Sequence, residues 1–161
     1  MGLMLIIKDG DVLKSGADVI AHQVNCQGVM GGGIAKQIRE LYPHVYDEYR
    51  DMCKQSRDGY DLLGISHWVQ IDDDHYIVNM FGQHGYGRND CYTIYPAFKV
   101  ALMHTVLICE RLAAQTNSKV RLALPWNIGC GLAGGDWNVV YKIIADIADG
   151  TDVSVELWKI Q

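Results

Sequence analysis

The sequence has no Cys-x-x-Cys pair, no sustained apolar run and no excess of positive charge, and each gap closes off a class of function. The cysteines, Cys26, Cys53, Cys91, Cys109 and Cys130, are odd in number and scattered. They spell out neither a zinc site nor a redox pair, and reduced, cytoplasmic thiols are expected. The histidines are also dispersed, with no His/Asp/Glu spacing that resembles a metal set, so neither a metal nor a cofactor is expected. The apolar start, Leu3 to Ile7, is cut short by Lys8 and Asp9, which is too brief for a signal peptide or a membrane span. Met1 and Gly2 open like a myristoylation signal, but Ile6 stands where Ser or Thr is required. A net charge of -5 and a pI near 5.6 offer no broad field for a nucleic-acid backbone. A soluble, cytoplasmic protein with no membrane partner is expected.

What is present has the balance of a globular chain, with 161 residues, 49% hydrophobic and 20% charged. That length fits one domain, residues 1–161, able to bury roughly two thirds of its unfolded surface. Runs rich in β-branched and aromatic residues predict strands at Leu3 to Ile7, Val19 to Val24, Ile65 to Val69, Tyr76 to Phe81, Val120 to Leu124 and Val153 to Trp158. Apolar residues three and four apart predict helices over Ile34 to Met52, Tyr95 to Gln115 and Trp137 to Ala148. Pro43 is expected to kink or divide the first of these, and Gly150 to stop the last. Asp72, Asp73 and Asp74 read as the solvated tip of a hairpin. Alternating strands and helices imply an α/β fold with a mixed sheet covered on both faces.

Two segments carry most of the chemical information. Residues 21–43, AHQVNCQGVMGGGIAKQIRELYP, run from a strand through Gly28, Gly31, Gly32 and Gly33 into an amphipathic helix. Glycines let the backbone approach a ligand, and the helix start supplies N–H groups and a positive dipole end for phosphate. No Gly-Lys-Ser/Thr follows, and the GxGxxG dinucleotide fingerprint is not reproduced. The second segment, LALPWNIGCGLAGGDWNVVYKII at residues 122–144, repeats the plan with Gly129, Gly131, Gly134 and Gly135 ahead of a helix that Asp136 can cap. Two such units facing each other at the C-terminal edge of a sheet can hold a diphosphate.

Together these segments resemble the phosphate loops of the macrodomain family, and the resemblance extends over nearly the whole chain. Asn25-Cys26 followed by Gly31-Gly32-Gly33-Ile34-Ala35 is similar to the ADP-ribose 1''-phosphate phosphatase branch. Ile128-Gly129-Cys130-Gly131-Leu132 resembles both that group and the terminal ADP-ribose glycohydrolase type. The resemblance implies a three-layer α/β/α sandwich with a mixed, mostly parallel central sheet. Its implied ligand is ADP-ribose or an ADP-ribosyl compound, free or at the end of an ADP-ribosylated protein or nucleic acid.

Carried over residue by residue, Asp11 matches the acceptor for the adenine amino group, with Val12 beside it; a carboxylate suits that donor. Gly31, Gly32, Gly33 and Ile34 match the first phosphate loop, and Asn127, Ile128, Gly129, Cys130, Gly131 and Leu132 the second. Asn25 matches the residue at the distal ribose, Gln83 is expected to approach the same sugar, and Trp158 matches an aromatic wall for adenine. His22, able to exchange protons near neutral pH, matches a catalytic histidine of the phosphatase branch. Asp136, able to orient water, completes a catalytic set with His22 and Asn25. Cys26 and Cys130 read as small packed thiols.

Two departures bear on mechanism. The stretch Phe81 to Gln83 has no lysine, and Ala133, not an aspartate, follows Leu132. Both argue against a lysine-linked covalent mechanism. Hydrolysis of an ADP-ribosyl derivative such as the 1''-phosphate, and non-catalytic reading of ADP-ribose, both remain open on sequence grounds.

Overall fold

The computed structural model describes residues 5–160. Met1, Gly2 and the Leu3 and Met4 of the first expected strand lie outside the described residues. The sheet is built from β1 (Leu5–Asp9), β2 (Val19–Val24), β3 (Ser66–Gln70), β4 (Tyr76–Phe81), β5 (Arg121–Pro125) and β6 (Ser154–Lys159). The order across it is β1-β6-β5-β2-β4-β3. Every neighbouring pair is parallel except β3 and β4, which run antiparallel. The acidic run 72–74 is the tip of that β3–β4 hairpin, with the Asp72 carboxylate accepting from Asp74 N–H and His75 Nδ1.

Helices α3 (Tyr95–Thr116) and α4 (Trp137–Asp149) cover one face. Phe98, Ala101, Leu102 and Val106 from α3 and Val140 and Ile144 from α4 form one core with Val19, Ala21, Val78, Met80, Leu122 and Leu124 from the strands. The other face carries α1 (Gly33–Leu41) and α2 (Pro43–Gln55). Ile38 and Val45 pack there on Ile20, Ile77 and Ala123, while Tyr49 packs on Val24 and Phe81. Odd and even residues of β2 thus divide between the two cores, as the two-residue period of a strand requires. The result is the α/β/α sandwich.

Pro43 divides the first helical region outright. It takes the first turn of α2, where its missing N–H costs nothing, and α1 ends at Leu41, with Tyr42 capping both helices. Asn117 ends α3 in the left-handed region at φ 51°, which Asn tolerates better than most residues. Short 3₁₀ turns at Val12–Lys14 and Tyr60–Leu62 had no counterpart among the expected elements. Asp11 caps the first of them by accepting from Leu13 N–H at 2.9 Å.

Because β5, β2 and β4 lie side by side and run the same way, their C-terminal ends deliver Pro125-Trp126, Asn25 and Gly82-Gln83 to one edge. Both glycine segments start from that edge.

Candidate functional site

A cleft of about 590 Å³ opens there, lined by Gly31, Gly32, Gly33 and Ile34 of the first loop and by Asn127, Ile128, Gly129, Gly131 and Leu132 of the second. That volume suits a small-molecule ligand. The loops face each other closely: a Cβ placed on Gly32 would lie 2.9 Å from Leu132 Cδ1.

The loops differ in how their amides are spent. In the second, Cys130 N–H donates to Asn127 C=O, Gly134 N–H to Gly131 C=O and Gly135 N–H to Gly129 C=O. Asn127 and Gly129 hold positive φ values of 67° and 73° to make this turn. The N–H groups of Gly129, Gly131, Leu132 and Ala133 have no acceptor among the described residues. The same holds for Gly31, Gly32, Gly33 and Ile34, where a helix start leaves its first amides unpaired by geometry. Two sets of uncommitted donors therefore border one cavity, beside the positive end of α1.

Asn25 lines the cleft but is committed to shaping it. Its Nδ2 donates to Val29 C=O at 2.8 Å, and its Oδ1 accepts from Gln27 N–H and from the Tyr49 hydroxyl at 2.9 and 2.8 Å. Tyr49 is wholly buried and braces the loop from α2. Gln83 also lines the cavity, within a directional chain. Gln83 Nε2 donates to Gly85 C=O, Gln23 Nε2 donates to Gln83 Oε1 and to Thr93 Oγ1, and Thr93 Oγ1 donates to Gly129 C=O. This chain ties β2, β4 and the second glycine loop together under the cleft. Gln23 and Thr93 escaped the sequence reading, which followed the glycines and the histidine. Tyr86, Gly87, Arg88, Pro125, Trp126 and Ala133 also line the cavity without having been singled out.

Several expected site residues do not reach the cleft. His22 is wholly buried within β2, on the α1/α2 face with Ile20 and Val24. Its Nε2 donates to Asn79 Oδ1 at 2.6 Å, and Asn79 Nδ2 donates to His67 Nδ1 at 3.2 Å. Burial lowers the His22 pKa to about 4, against a smaller upward pull from the Asn79 hydrogen bond. The imidazole is therefore neutral at neutral pH and walled off from the cavity. Asp136 is exposed, caps α4 by accepting from Asn138 N–H at 2.9 Å, and does not line the cleft.

Asp11, Val12 and Trp158, expected around adenine, are not among the residues lining the cleft. Trp158 packs against the buried cluster that includes Val12 and Ile20, and its indole Nε1 donates to the buried Glu156 carboxylate at 2.9 Å. Burial pushes the Glu156 pKa up, but hydrogen bonds from Arg121 and Trp158 and the charge of Arg121 outweigh it and hold the group ionised. The indole on the cavity wall is that of Trp126, whose backbone N–H donates to Trp158 C=O at 2.8 Å. Asp11 and Val12 sit beside Trp158 rather than in the cavity lining, with Asp11 Oδ1 held by its turn.

Both loop cysteines are packed thiols. Cys26 Sγ donates to Gln83 C=O at 3.3 Å, and burial pushes its pKa up to about 12 and that of Cys130 to about 11. Cys130 turns away from the cleft that its neighbours line. Among the described residues no cluster of His, Cys, Asp and Glu could hold a metal ion, and no helix is long and apolar enough to cross a membrane.

No protein-family model matches the chain. The chain is similar, 32% identical over 76 residues, to a DNA ADP-ribosyl glycohydrolase of Mycobacterium tuberculosis, a match covering 47% of this chain and 22% of that protein. It is 46% identical over 54 residues to an ADP-ribose 1''-phosphate phosphatase of Scheffersomyces stipitis, covering 33% of this chain and 31% of that one. The matched stretch is therefore less than a third of either relative. Among solved structures, the macrodomain of Mycobacterium tuberculosis DarG superposes with a TM-score of 0.74 at 26% identity, covering 98% of each chain.

The chain has the macrodomain fold. Within this fold the paired glycine loops lie where the sheet edge delivers them, and both line one cleft.

Proposed function

We propose that this macrodomain binds ADP-ribose in the cleft and hydrolyses an ADP-ribosyl derivative, with ADP-ribose 1''-phosphate the best candidate. The observation that supports this is the meeting of two sets of unspent amides, from residues 31–34 and from Gly129, Gly131, Leu132 and Ala133, across a cavity of about 590 Å³. A diphosphate offers enough acceptor oxygens for both sets. Adenine then extends toward Trp126 and Asp11, and the distal ribose toward Asn25 and Gln83. The amides stabilise anionic oxygen without any cationic side chain in the loops, consistent with the chain's negative charge.

A reading without turnover, as a module that recognises ADP-ribose on a protein or a nucleic-acid end, is favoured by one observation. Among the residues lining the cleft there is no carboxylate and no histidine. Hydrolysis here would rest on positioning and electrostatic stabilisation of a water attack more than on a strong general base.

Calorimetry with ADP-ribose, AMP and NAD tests the binding step, and we expect ADP-ribose to bind at least tenfold tighter than either. Equal affinities would sink the assignment. Phosphate release from ADP-ribose 1''-phosphate tests the chemistry; tight binding with no product over a long incubation would leave the reader function. The Asp11→Ala variant should weaken ADP-ribose by about 1–3 kcal/mol through loss of an adenine hydrogen bond. It should also cost about 1 kcal/mol of stability through the lost cap. A stability change with no change in affinity would move adenine elsewhere.

A further inference from the structure

We propose that Arg88 is the specificity-determining residue for a phosphoryl group on the distal ribose, so that the cleft distinguishes phosphorylated ADP-ribose from ADP-ribose itself. This rests on the cleft being the ADP-ribose site. Arg88 is the one charged side chain among the residues lining the cavity. It also lines the adjoining surface depression, with Asn89, Asp90, Gly131, Leu132 and Gly134. The cleft thus continues past the guanidinium and over the second glycine loop to solvent.

The position of Arg88 is set by structure at both ends of its loop. Gln83 and Thr93 pair as an antiparallel bridge, and Ile94 N–H donates to Gly82 C=O at 2.8 Å, closing the base of the excursion. Tyr92 N–H donates to Ala133 C=O at 2.7 Å, pinning the returning strand of the loop to the second glycine segment. No carboxylate among the described residues forms an ion pair with Arg88, so its charge is available to a ligand.

The sheet order fixes which end of the ligand it meets. Trp126 follows β5, Asn25 follows β2, and the Arg88 loop hangs from β4, on the side away from Asp11 and Trp158. Arg88 is therefore at the distal-sugar end, where no other side chain offers positive charge. A guanidinium fork matches two phosphoryl oxygens, and such charge-assisted pairs are the strong ones. The depression beyond it is not a track for a longer polyanion. Asp90 faces into it, with Oδ1 accepting from Cys91 N–H at 2.8 Å, and the whole chain is acidic. A single phosphoryl group is favoured over a polynucleotide.

Competition against fluorescent ADP-ribose, read within seconds of mixing, gives the Kd of ADP-ribose and of ADP-ribose 1''-phosphate on each protein. We expect the wild type to prefer the phosphorylated ligand. In Arg88→Ala that preference, a ratio measured on one protein and so insensitive to partial unfolding, should fall at least tenfold. Arg88→Lys should give an intermediate ratio, and raising the salt should lower the wild-type ratio most. A uniform loss for both ligands would put Arg88 on the diphosphate, and an unchanged ratio would remove it from recognition; either overturns the proposal. Competition by a short single-stranded DNA at the concentration where the 1''-phosphate competes would overturn it in favour of a polyanion. If ADP-ribose fails to bind the wild type, the assignment of the cleft fails first.

Discussion

Replacing Gly134 by alanine should destabilise the protein by about 3 kcal/mol or more and weaken ADP-ribose binding at least tenfold. Two separate costs add at this position. Gly134 has φ 74°, a left-handed conformation that costs a side-chain-bearing residue about 1–2 kcal/mol. Its Cβ would also lie 2.0 Å from Asp90 C=O and 3.3 Å from Cys91 Cα. Those neighbours are backbone and cannot swing aside as a side-chain end would. Relief requires residues 90–91 to move away from the second glycine loop, which breaks the hydrogen bonds from Tyr92 and Thr93 N–H to Ala133 C=O. The wall of the cleft then loses its register against the first loop. Gly131→Ala is the matched control for stability, since nothing lies within 4 Å of its added Cβ; it should change the unfolding free energy from urea titration by less than about 0.5 kcal/mol. Equal midpoints for the two variants would show that the 90–91 contact does not hold the loop.

This loop-to-loop contact also marks the limit of what the sequence discloses. Strands β2 and β4 were legible to the residue because Val19–Val24 and Tyr76–Phe81 are bounded by turn-forming residues and filled with β-favouring ones. The end of α1 was legible because proline excludes the helix geometry before it. The glycine loops were legible because their composition serves close backbone approach whatever surrounds them. Sheet order was not, since nothing local in β2 states that β5 and β4 will flank it. For the same reason Arg88 and Gln23 went unnoticed. Arg88 reaches the cleft through a long excursion closed by the Gln83–Thr93 bridge, and Gln23 acquires its role from partners 60 and 70 residues away.

His22 and Gln23 are neighbours on opposite faces of β2. Side chains alternate across a strand, so His22 points into the α1/α2 face, while Gln23 points to the other and lines the cleft. The sequence motif singled out the imidazole. The register, His22 opposite Asn79, turns it inward and gives the cleft-facing place to an amide. Alternation with Ile20 and Val24 already implied a buried face, but only the pairing of β2 with β4 shows that Asn79 is the partner that makes burial tolerable.

That burial has a measurable pH signature. Because Nε2 carries the proton donated to Asn79, protonating His22 means placing a second proton on Nδ1, a buried atom with no hydrogen-bond partner among the described residues. The folded-state pKa is accordingly lowered to about 4, while the unfolded chain keeps a value near 6.5. Above pH 6.5 both states are neutral and the group is silent. As pH falls through the window from 6.5 to 4, the unfolded chain takes up a proton that the folded chain excludes, and stability drops. The full window is worth about 3 kcal/mol, with a slope of up to about 1.4 kcal/mol per pH unit. His67, whose pKa burial also lowers despite the opposing charge of Glu48, adds a term of the same sign. Denaturant midpoints at pH 7.5 and 4.5 for wild type and His22→Gln isolate the first contribution, because glutamine retains an N–H donor for Asn79 but does not titrate. The variant should lose about 2–3 kcal/mol less than the wild type on acidification. Its turnover per folded molecule, wherever turnover is detected, should stay within about threefold of wild type, since a side chain excluded from the cleft contributes less than one hydrogen bond's worth to the reaction. Parallel acid titrations of the two proteins would show that His22 is protonated in the fold, and a loss of turnover far beyond threefold with stability intact would return the imidazole to the chemistry.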